Sequence, residues 1–444
     1  MCSKFAERSG PLGALVALVW AYAEQGGLSV NEILKVLADQ LTDPERGIQH
    51  SVVRAGYTYF GQLISHDLVP PSQPELRERT QQTRNFNFAL ELESIYGALP
   101  SRYVEKGKFF VRHSHDWDLS RNGDFEAEIP DSRNDENIIT AQLHRIWQRI
   151  HNCLVDDGAS FEQARNDTIL LFQTVVVGDF LAQILQPHIF KAYFFKGETH
   201  LNLSTTELSK LFAKAAFRFG HTMVRRSYTL NQVAENITLN QIVARVRPIP
   251  ARFKIDWKLF FRMDDSSNVQ RAMGIDSMLS AFMSEIPDLR GRNQDVVMRN
   301  LEAGNDLPSG LEYVATLVAR LDPAPLDPAL GLFPLSNDDS PMSALGIRMS
   351  QMPLWPYLLL EAEIQGRRER LGVLGSLIVA ETIRNAINNS AVSVLSNSIF
   401  DRRKLIRKLS RRAIKLFGWN AAKGDEILSM GHLINCVMMH EGEQ

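Results

Sequence analysis

The chain has 444 residues, with 49 Lys and Arg against 51 Asp and Glu, which gives a formal net charge of −2. This near-neutral balance argues against binding of nucleic acid through bulk electrostatics. Hydrophobic residues make up 44% of the chain and charged residues 23%, which is the composition of a folded globular protein rather than a disordered one.

The positions of the cysteines argue against two kinds of stabilising cross-link. Cys2, Cys153 and Cys436 are scattered and form no Cys-x-x-Cys pair, so neither a disulfide scaffold nor a Cys-ligated metal site is expected. The longest uncharged apolar run, residues 12–23, is shorter than the roughly 18 residues that a membrane span needs. The sequence therefore predicts no transmembrane segment.

The apolar run near the N-terminus has two interpretations. Lys4 and Arg8 precede it and Ala21-Tyr22-Ala23 resembles a cleavage site, which is the pattern of a signal peptide over residues 1–23. Glu7 and the Leu-Ala spacing instead favour a buried first helix. A cytoplasmic location follows from the helix, which we favour, and secretion follows from the signal peptide.

Helical patterns dominate the rest of the chain in order. Ser29, with Glu32 three residues later, predicts the start of a helix. Asp131 and Ser132 precede a one-faced apolar pattern over residues 133–155. Residues 169–186 are apolar nearly all round and predict a core helix that ends at Pro187. Further helices are predicted at residues 206–221, 268–283, 355–365 and 371–387, and after Ile399.

Two segments rich in turn-forming residues predict loops, at residues 248–250 and 321–341. Clear strand alternation with hairpin turns is scarce. No repeat and no shift in composition marks a domain boundary, so one large, mainly α-helical domain over residues 1–444 is predicted.

The common phosphate, zinc and hydrolase motifs are absent from the sequence, namely the Walker loop, GxGxxG, HExxH and GxSxG. The segment YFGQLISHDL, residues 59–68, instead places Gln62 and His66 on one helical face. Such a pair could hold and deprotonate a small polar molecule. The alternative is a helix end with a locally satisfied histidine.

Two other segments combine charged residues on short helical turns. In SRNDEN, residues 132–137, Arg133 and Glu136 are three apart, although the helix dipole alone would also explain the glutamate. In AFRFGHTMV, residues 216–224, His221 follows Arg218 by three positions. This pair predicts either a metal ligand beside an anion-binding guanidinium or simply the end of a helix.

Five segments in this order resemble the animal-type haem peroxidases of the peroxidase–cyclooxygenase superfamily, and most closely the bacterial peroxinectin-like members. They are GQLISHD, SRNDENIITAQLHRIWQRIHN, FRFGHT, RNLEAGNDLPSG and PLWPYLLLEAE, and the resemblance covers about residues 50–390. It implies a single large helical haem-peroxidase domain with little β structure and haem b as cofactor. It also implies reduction of hydrogen peroxide and oxidation of small electron donors or halides through a ferryl intermediate.

The resemblance also implies roles for individual residues. His66 matches the distal base that takes a proton from peroxide and returns it to the departing oxygen, with Gln62 one turn before it. Arg133 matches the distal arginine, which stabilises charge as the O–O bond breaks. His221 matches the iron ligand, and Asn300 matches the amide that accepts the proton of the ligand's other ring nitrogen. Arg218, finally, matches an arginine that pairs with a haem propionate.

Departures from the family pattern affect haem retention. Ser65 stands where the family usually has an ester-forming Asp, whereas Glu136 matches the second ester-forming carboxylate. Asn137 stands where some relatives carry the Met of a sulfonium link. Ala303 replaces an arginine that commonly lies near a propionate. The expected cofactor is therefore noncovalent haem b with at most one ester, through Glu136.

A calcium site is also implied by the resemblance. Asp67 matches an acidic calcium ligand, and Asn87, Glu91 and Glu93 stand in the partner loop, NFNFALELESIYG. Carboxylates suit a hard cation, but glutamates replace shorter side chains of the family pattern.

The C-terminal segment 399–420 predicts a basic amphipathic helix within the same domain. Its basic positions lie within residues 402–417, opposite an apolar face. Contact with a membrane surface is one interpretation. A helix packed on the domain with a solvated basic face is favoured over it.

The predicted function is that of a haem peroxidase. One alternative is a degenerate fold that serves binding or adhesion. Against it, a scaffold without activity has no need to keep His66, Arg133, His221 and Asn300 together. A fatty-acid dioxygenase of the same superfamily is less favoured, because those relatives carry a radical-forming Tyr where this chain has Arg218.

Overall fold

The computed structural model describes residues 50–71, 87–97, 104–201, 203–243, 246–263, 268–277, 279, 283, 286–287, 293–304, 306–307, 352–395 and 428–440. The apolar run 12–23, the helix start at Ser29, the loop 321–341 and the basic segment 402–417 lie outside these ranges. The predictions made for them therefore stay predictions.

The described residues are mainly α-helical, as the sequence predicts. The α-helices are α1 (Gly56–Leu68), α2 (Glu93–Tyr96), α3 (Ile138–Asp156), α4 (Phe161–Val175), α5 (Ala182–Ile184), α6 (Pro187–Phe190), α7 (Thr205–Lys214), α8 (Leu239–Val243), α9 (Val296–Ala303), α10 (Leu354–Gln365), α11 (Val373–Asn389) and α12 (Met430–His440). The predicted helices at 355–365 and 371–387 are confirmed by α10 and α11, and residues 248–250 form the predicted loop.

Short strands and tight helical turns connect the helices. The strands are β1 (His50–Arg54), β2 (Val104–Glu105), β3 (Lys108–Phe109), β4 (Ser227–Tyr228), β5 (Ile237–Thr238), β6 (Arg271–Met273), β7 (Ile286–Pro287) and β8 (Asn293–Gln294). Within the described residues they pair as four antiparallel two-stranded ribbons, β1 with β6, β2 with β3, β4 with β5 and β7 with β8. The 3-10 helices are Ser132–Asp135, Ala216–His221, Ala251–Phe253 and Trp257–Leu259, and π-helical turns cover Val176–Leu181 and Lys191–Lys196.

Helix α1 packs its apolar face into the centre of the fold. Phe60 is fully buried, and its ring contacts those of Trp147 on α3, Phe172 on α4 and Phe180, with centroid separations of 5.6–6.3 Å. Aromatic pairs at these distances contribute beyond the apolar area that they bury. This packing fixes the rotation of α1 and hence the direction of its polar face.

The predicted helix at residues 133–155 begins later than expected. Asp131 caps the 3-10 helix Ser132–Asp135 by accepting from Arg133 N, and α3 begins only at Ile138. Asn137 is the N-cap of α3, because its side chain accepts from the backbone N–H groups of Ile139 and Thr140. The residues around Arg133 therefore form a separate turn rather than the first turn of the long helix.

The helix predicted at residues 268–283 is wrong. Residues 271–273 form β6, which pairs with β1 immediately before α1. Tertiary pairing with a distant strand therefore overrides the local helical pattern.

The segment predicted at residues 206–221 is helical but broken. Helix α7 ends at Lys214, Ala215 leaves the helical conformation, and a 3-10 helix carries the chain to His221. The break turns the chain so that Arg218 and His221 reach the cavity described below.

The predicted core helix at residues 169–186 is confirmed in type. The helical run Phe161–Ile184 ends just before Pro187, which begins α6. Within the described part of the chain, this run is long and apolar enough for a membrane span by length and composition, with a mean hydropathy of 1.4, while 61% of the apolar window is buried in the protein. Core helices meet the same criterion, so the expectation of no transmembrane segment stays a prediction.

Helix α11 is capped by a side chain from α10. The carboxylate of Glu361 accepts from the backbone N–H groups of Leu374 (2.9 Å) and Gly375 (3.1 Å). A Cβ at Gly372 would clash with Glu361, so glycine at this position permits the close approach. Burial raises the pKa of Glu361 from 4.5 to about 7, against the lowering effect of its two backbone hydrogen bonds.

Glu361→Gln should therefore change how stability depends on pH. Because the folded pKa exceeds the unfolded one, the protonated form is favoured by folding, and stability is lost as pH rises from about 4.5 to about 7. Relative to Glu361→Gln, the wild-type free energy of unfolding should fall by about 3 kcal/mol across this window. Urea unfolding at several pH values measures this change in the free energy of unfolding. The exposed Glu302→Gln is the control. Parallel pH curves for wild type and Glu361→Gln would contradict the prediction.

Candidate active site

Four segments that are distant in sequence line one cavity of about 330 Å³. They are α1, the turn that carries residues 132–137, the 3-10 helix Ala216–His221, and α9. The sequence-predicted residues that this cavity brings together are Gln62, His66, Arg133, Glu136, Arg218, His221 and Asn300. The fold thus assembles at one place the residues that the family resemblance pointed to.

His66 and Gln62 come from the polar face of α1. His66 is buried, and its Nδ1 lies 2.9 Å from Oδ1 of Asn134. The Gln62 amide oxygen accepts from Asn137 Nδ2 (3.0 Å) and Thr140 Oγ1 (2.8 Å). Because the oxygen is held at the start of α3, the NH₂ group of Gln62 is the part that can donate to a molecule in the cavity.

Arg133 is held in a two-pronged ion pair. Its Nε and Nη2 donate to the two carboxylate oxygens of Asp131 (3.0 and 2.7 Å), and Nη2 also donates to the backbone oxygen of His66 (2.9 Å). Asp131 is fully buried. The fork is therefore fixed in its plane, and Nη1 is the group left for a molecule in the cavity.

The turn that carries Arg133 is anchored by a buried ion network. Asp135 accepts from Arg121 Nη1 (2.9 Å) and from Arg247 Nε (2.8 Å), and Arg121 is itself paired with the fully buried Asp118. Buried, fully paired charges of this kind specify one conformation. The network restricts movement of the turn relative to α1.

His221 supplies a neutral imidazole to the cavity. Burial, with the Arg218 and Arg299 guanidinium groups as further causes, lowers the pKa of His221 to about 3. An unprotonated ring nitrogen is what a metal ion requires of a histidine ligand.

Asn300 bridges His221 and Arg218. Its Nδ2 lies 3.1 Å from His221 Nδ1, while its Oδ1 accepts from Arg218 Nη1. The resemblance implies that the amide oxygen accepts the ring proton of His221. In this structure the amide instead presents its NH₂ group to the ring, because the guanidinium occupies the oxygen.

Arg299 lines the cavity and was missed by the sequence analysis. Burial lowers its pKa, and the charge of Glu136 acts in the opposite direction, so Arg299 and Glu136 lie within electrostatic reach of each other. The only sequence signal was an arginine directly before Asn300, and its placement at the cavity depends on the packing of α9.

Asp67, placed in the predicted calcium site, is used by the loop backbone. Its carboxylate accepts from the N–H groups of Glu91 (3.1 Å), Leu92 (2.9 Å) and Ser94 (3.0 Å). Three such bonds engage both carboxylate oxygens. Asp67 therefore acts as an anchor for the loop that leads into α2.

The other predicted calcium ligands also have protein partners. Glu93 pairs with Arg165 (2.9 Å), and Glu91 accepts from the backbone N–H of Ala391 and from Asn87 Nδ2, while Asn87 is exposed. No group of three His, Cys, Asp or Glu side chains is arranged for a metal ion among the residues that the structure describes. This geometry gives the predicted calcium site no support.

Comparison with curated proteins gives short matches to thyroid peroxidases. The human and the mouse (Mus musculus) thyroid peroxidases are each 30% identical to this chain over 104 residues, which is 21% of this chain and 11% of each relative. The aligned region thus spans about a tenth of the curated relatives it matches.

Comparison with solved structures supports the fold. Peroxidase A from Dictyostelium discoideum superposes with a TM-score of 0.54 at 13% identity, covering 87% of this chain and 89% of that one. The fatty acid alpha-dioxygenase of Oryza sativa superposes with a TM-score of 0.54 at 11% identity, covering 87% and 79%. At these identities the likeness concerns the fold alone.

The family model described as "Animal haem peroxidase" matches residues 78–321, which is more than half of the chain. The match includes the turn of Arg133, the 3-10 helix of His221 and the helix of Asn300. The chain therefore belongs to the animal haem peroxidase family.

Proposed function

We propose that this protein is a haem-dependent peroxidase that reduces hydrogen peroxide and oxidises small electron donors or halides. The observation that carries the proposal is the meeting of two residue sets at one cavity. One set, His66 and Arg133, is suited to peroxide, and the other, His221 with Asn300, is suited to an iron ligand. A scaffold kept only for binding would not require both sets to face the same space.

The cavity residues fit haem by their chemistry. His221 offers a neutral imidazole, and Arg218 and Arg299 offer cations for carboxylates. Phe180, Phe212 and other aromatic side chains provide apolar walls. When bound, haem would supply the iron that reacts with peroxide, and His221 would be the residue that holds the iron and favours O–O cleavage.

The chain's own residues then manage protons and charge. His66 accepts a proton from peroxide and returns it to the oxygen that leaves as water. The Nη1 group of Arg133 stabilises the negative charge that develops as the bond breaks. The NH₂ group of Gln62 donates a hydrogen bond that orients the peroxide.

A carboxylate bound at Arg218 would also reorganise Asn300. If a haem propionate takes the guanidinium, the amide oxygen of Asn300 is released and can accept the Nδ1 proton of His221. This exchange would give the second-sphere arrangement that the resemblance implies, and it fixes the tautomer of the ligand.

One absorption experiment tests the proposed function. The protein is loaded with haem, and its spectrum is recorded before and after one equivalent of hydrogen peroxide, then after a small phenolic donor. We expect a rapid spectral change with peroxide that the donor reverses. Absence of any change with peroxide would overturn the proposal, and uptake of oxygen with a fatty acid instead would assign the chain to dioxygenases.

Arg299→Leu should lower the affinity for haem by about tenfold or more, the scale of one lost charged hydrogen bond. The reason is that Arg299 supplies the guanidinium that Ala303 cannot. Haem dimethyl ester, whose carboxylates are masked, should bind wild type and variant equally. The exposed Arg252→Leu is the control, and an equal loss of affinity for both cofactors would contradict a role toward propionates.

Peroxide treatment should attach haem to the protein through at most one ester. Glu136 and Ser65 both line the cavity, but a serine hydroxyl supplies no carboxylate, and Asn137 forms no sulfonium link. Haem should therefore be fully extractable with acidified solvent at first. Mass spectrometry after peroxide should find a haem peptide containing Glu136, which Glu136→Gln should lack. Two links per haem, or a link to the peptide of Ser65, would contradict it.

A further inference from the structure

Asn134 lies behind His66, and every polar atom of its side chain is used. It is fully buried in the turn that carries Arg133. Its Oδ1 is 2.9 Å from His66 Nδ1, and its Nδ2 is 3.3 Å from the backbone oxygen of Ser94 and 3.0 Å from Nδ1 of His144. The local sequence predicts no role for this residue.

The surroundings of the amide determine which way it points. The backbone oxygen of Ser94 can only accept a hydrogen bond, so the NH₂ side of Asn134 must face it. The opposite orientation would place two oxygen atoms against each other in a buried site. Ser94 is itself held by Asp67, whose carboxylate accepts from Ser94 N.

His144 is compatible with the same orientation. It is fully buried, and burial, followed by the charge of Arg145, lowers its pKa to about 3. A neutral ring can accept from the Asn134 NH₂ group at Nδ1, whereas a protonated ring would present a second donor to it. The carbonyl of Ser94 thus sets the amide orientation, and the Nε2–H tautomer of a neutral His144, with the side-chain amide of Gln148 3.1 Å from Nε2, is compatible with it.

This orientation determines the tautomer of His66. An amide oxygen only accepts, so a neutral His66 ring must carry its proton on Nδ1. Nε2 is then the ring nitrogen without a proton, which is the form that a general base at this ring must have.

We propose that Asn134 is a positioning residue that holds His66 in the Nδ1–H tautomer and thereby makes Nε2 the proton acceptor. This inference rests on the proposed peroxidase function for its kinetic consequence, but its structural claim stands without haem. The chain of contacts runs from the Asp67-held loop through Ser94 and Asn134 to the base itself.

The first test needs no cofactor and no activity. Long-range ¹H–¹⁵N NMR of the full-length chain with ¹⁵N-labelled histidine distinguishes the two ring tautomers, and comparison with His66→Gln assigns the resonances of His66. We expect the Nδ1–H tautomer in the wild type and a shift toward Nε2–H in Asn134→Leu. A wild-type His66 protonated on Nε2 alone would overturn the proposal, whatever the variants do.

The second test asks whether Asn134 acts through His66. In the haem-loaded protein, Asn134→Leu should slow the reaction with peroxide by about 10- to 100-fold, the scale seen for outer partners of site histidines. Cyanide, which must lose its proton to bind iron as the anion, should bind more slowly by a similar factor. Asn134→Asp, which keeps an acceptor for Nδ1, should recover part of both rates.

A double-variant comparison separates positioning from general damage. In a His66→Ala background, Asn134→Leu should have no further effect on either rate, because the ring that it orients is gone. An equal slowing in both backgrounds would overturn the proposal. If the wild type binds haem but does not react with peroxide, the proposed function fails, and the NMR result still decides the tautomer.

Discussion

Replacing His221 by alanine is expected to remove the iron ligand and with it tight binding of haem. His221 offers a neutral ring to the cavity, with Asn300 at its Nδ1. Loss of an outer partner of a metal-ligating histidine typically costs 10- to 100-fold in affinity, so loss of the ligand itself should cost at least about a hundredfold. Haem titration monitored at the Soret band measures the change.

Two companion measurements define the role of His221. Added imidazole should restore the Soret band of His221→Ala, because the cavity left by the side chain can admit a free ligand. Asn300→Ala should keep haem bound but shift the reduction potential of the iron, since the His221 ring loses the acceptor that the Asn300 oxygen would offer once a propionate occupies Arg218. Equal haem affinity and an unchanged Soret band in His221→Ala would remove the assignment.

The sequence predicted those elements of the fold whose apolar pattern is set by local packing. Helices α10 and α11 and the apolar run through α4 lie close to the predicted positions, because their buried faces recur at helical spacing. The prediction of a helix at residues 268–283 is wrong because of a tertiary contact: β6 pairs with β1, more than 200 residues earlier in the chain. No local pattern encodes that partner.

The residues of the site also divide into those that the sequence could indicate and those that depend on distant contacts. The family resemblance supplied His66, Arg133 and His221, and the structure places them at one cavity. It could not supply Asn134 or Arg299, whose roles depend on which distant groups their helices face. The resemblance also suggested Glu93 as a calcium ligand. In the structure Glu93 instead pairs with Arg165, a residue 72 positions away on another helix, and the local sequence does not show this partner.

The turn around Arg133 shows how a residue can reach the cavity from a local structure other than the predicted one. A continuous helix from residue 133 was predicted, but Asn137 caps α3 and a 3-10 turn precedes it. Residues three apart eclipse each other on a 3-10 helix, so Arg133 and Glu136 still point toward the same space. Both line the cavity.

His66→Ala should slow the reaction of the haem-loaded protein with peroxide by about a hundredfold or more, the usual scale for loss of a general base. Haem affinity should change little, because His66 is bonded to Asn134 and lies on α1 rather than beside His221. Stopped-flow spectroscopy with excess peroxide measures the rate. The exposed His188→Ala should react as the wild type does.

The Arg133→Lys variant should also react slowly with peroxide, for a geometric reason. Three bonds fix the guanidinium through Nε and Nη2, two to Asp131 and one to the His66 carbonyl, and so aim Nη1 at the cavity. An ammonium group paired with Asp131 is not fixed in a plane, so its remaining N–H donors are not aimed at peroxide. The charge is kept in this variant, so a slow reaction would show that the planar fork is required. The exposed Arg252→Lys serves as the matched control. If His66→Ala and Arg133→Lys both react at the wild-type rate, these residues do not act on peroxide, and the base must be sought elsewhere on the cavity wall.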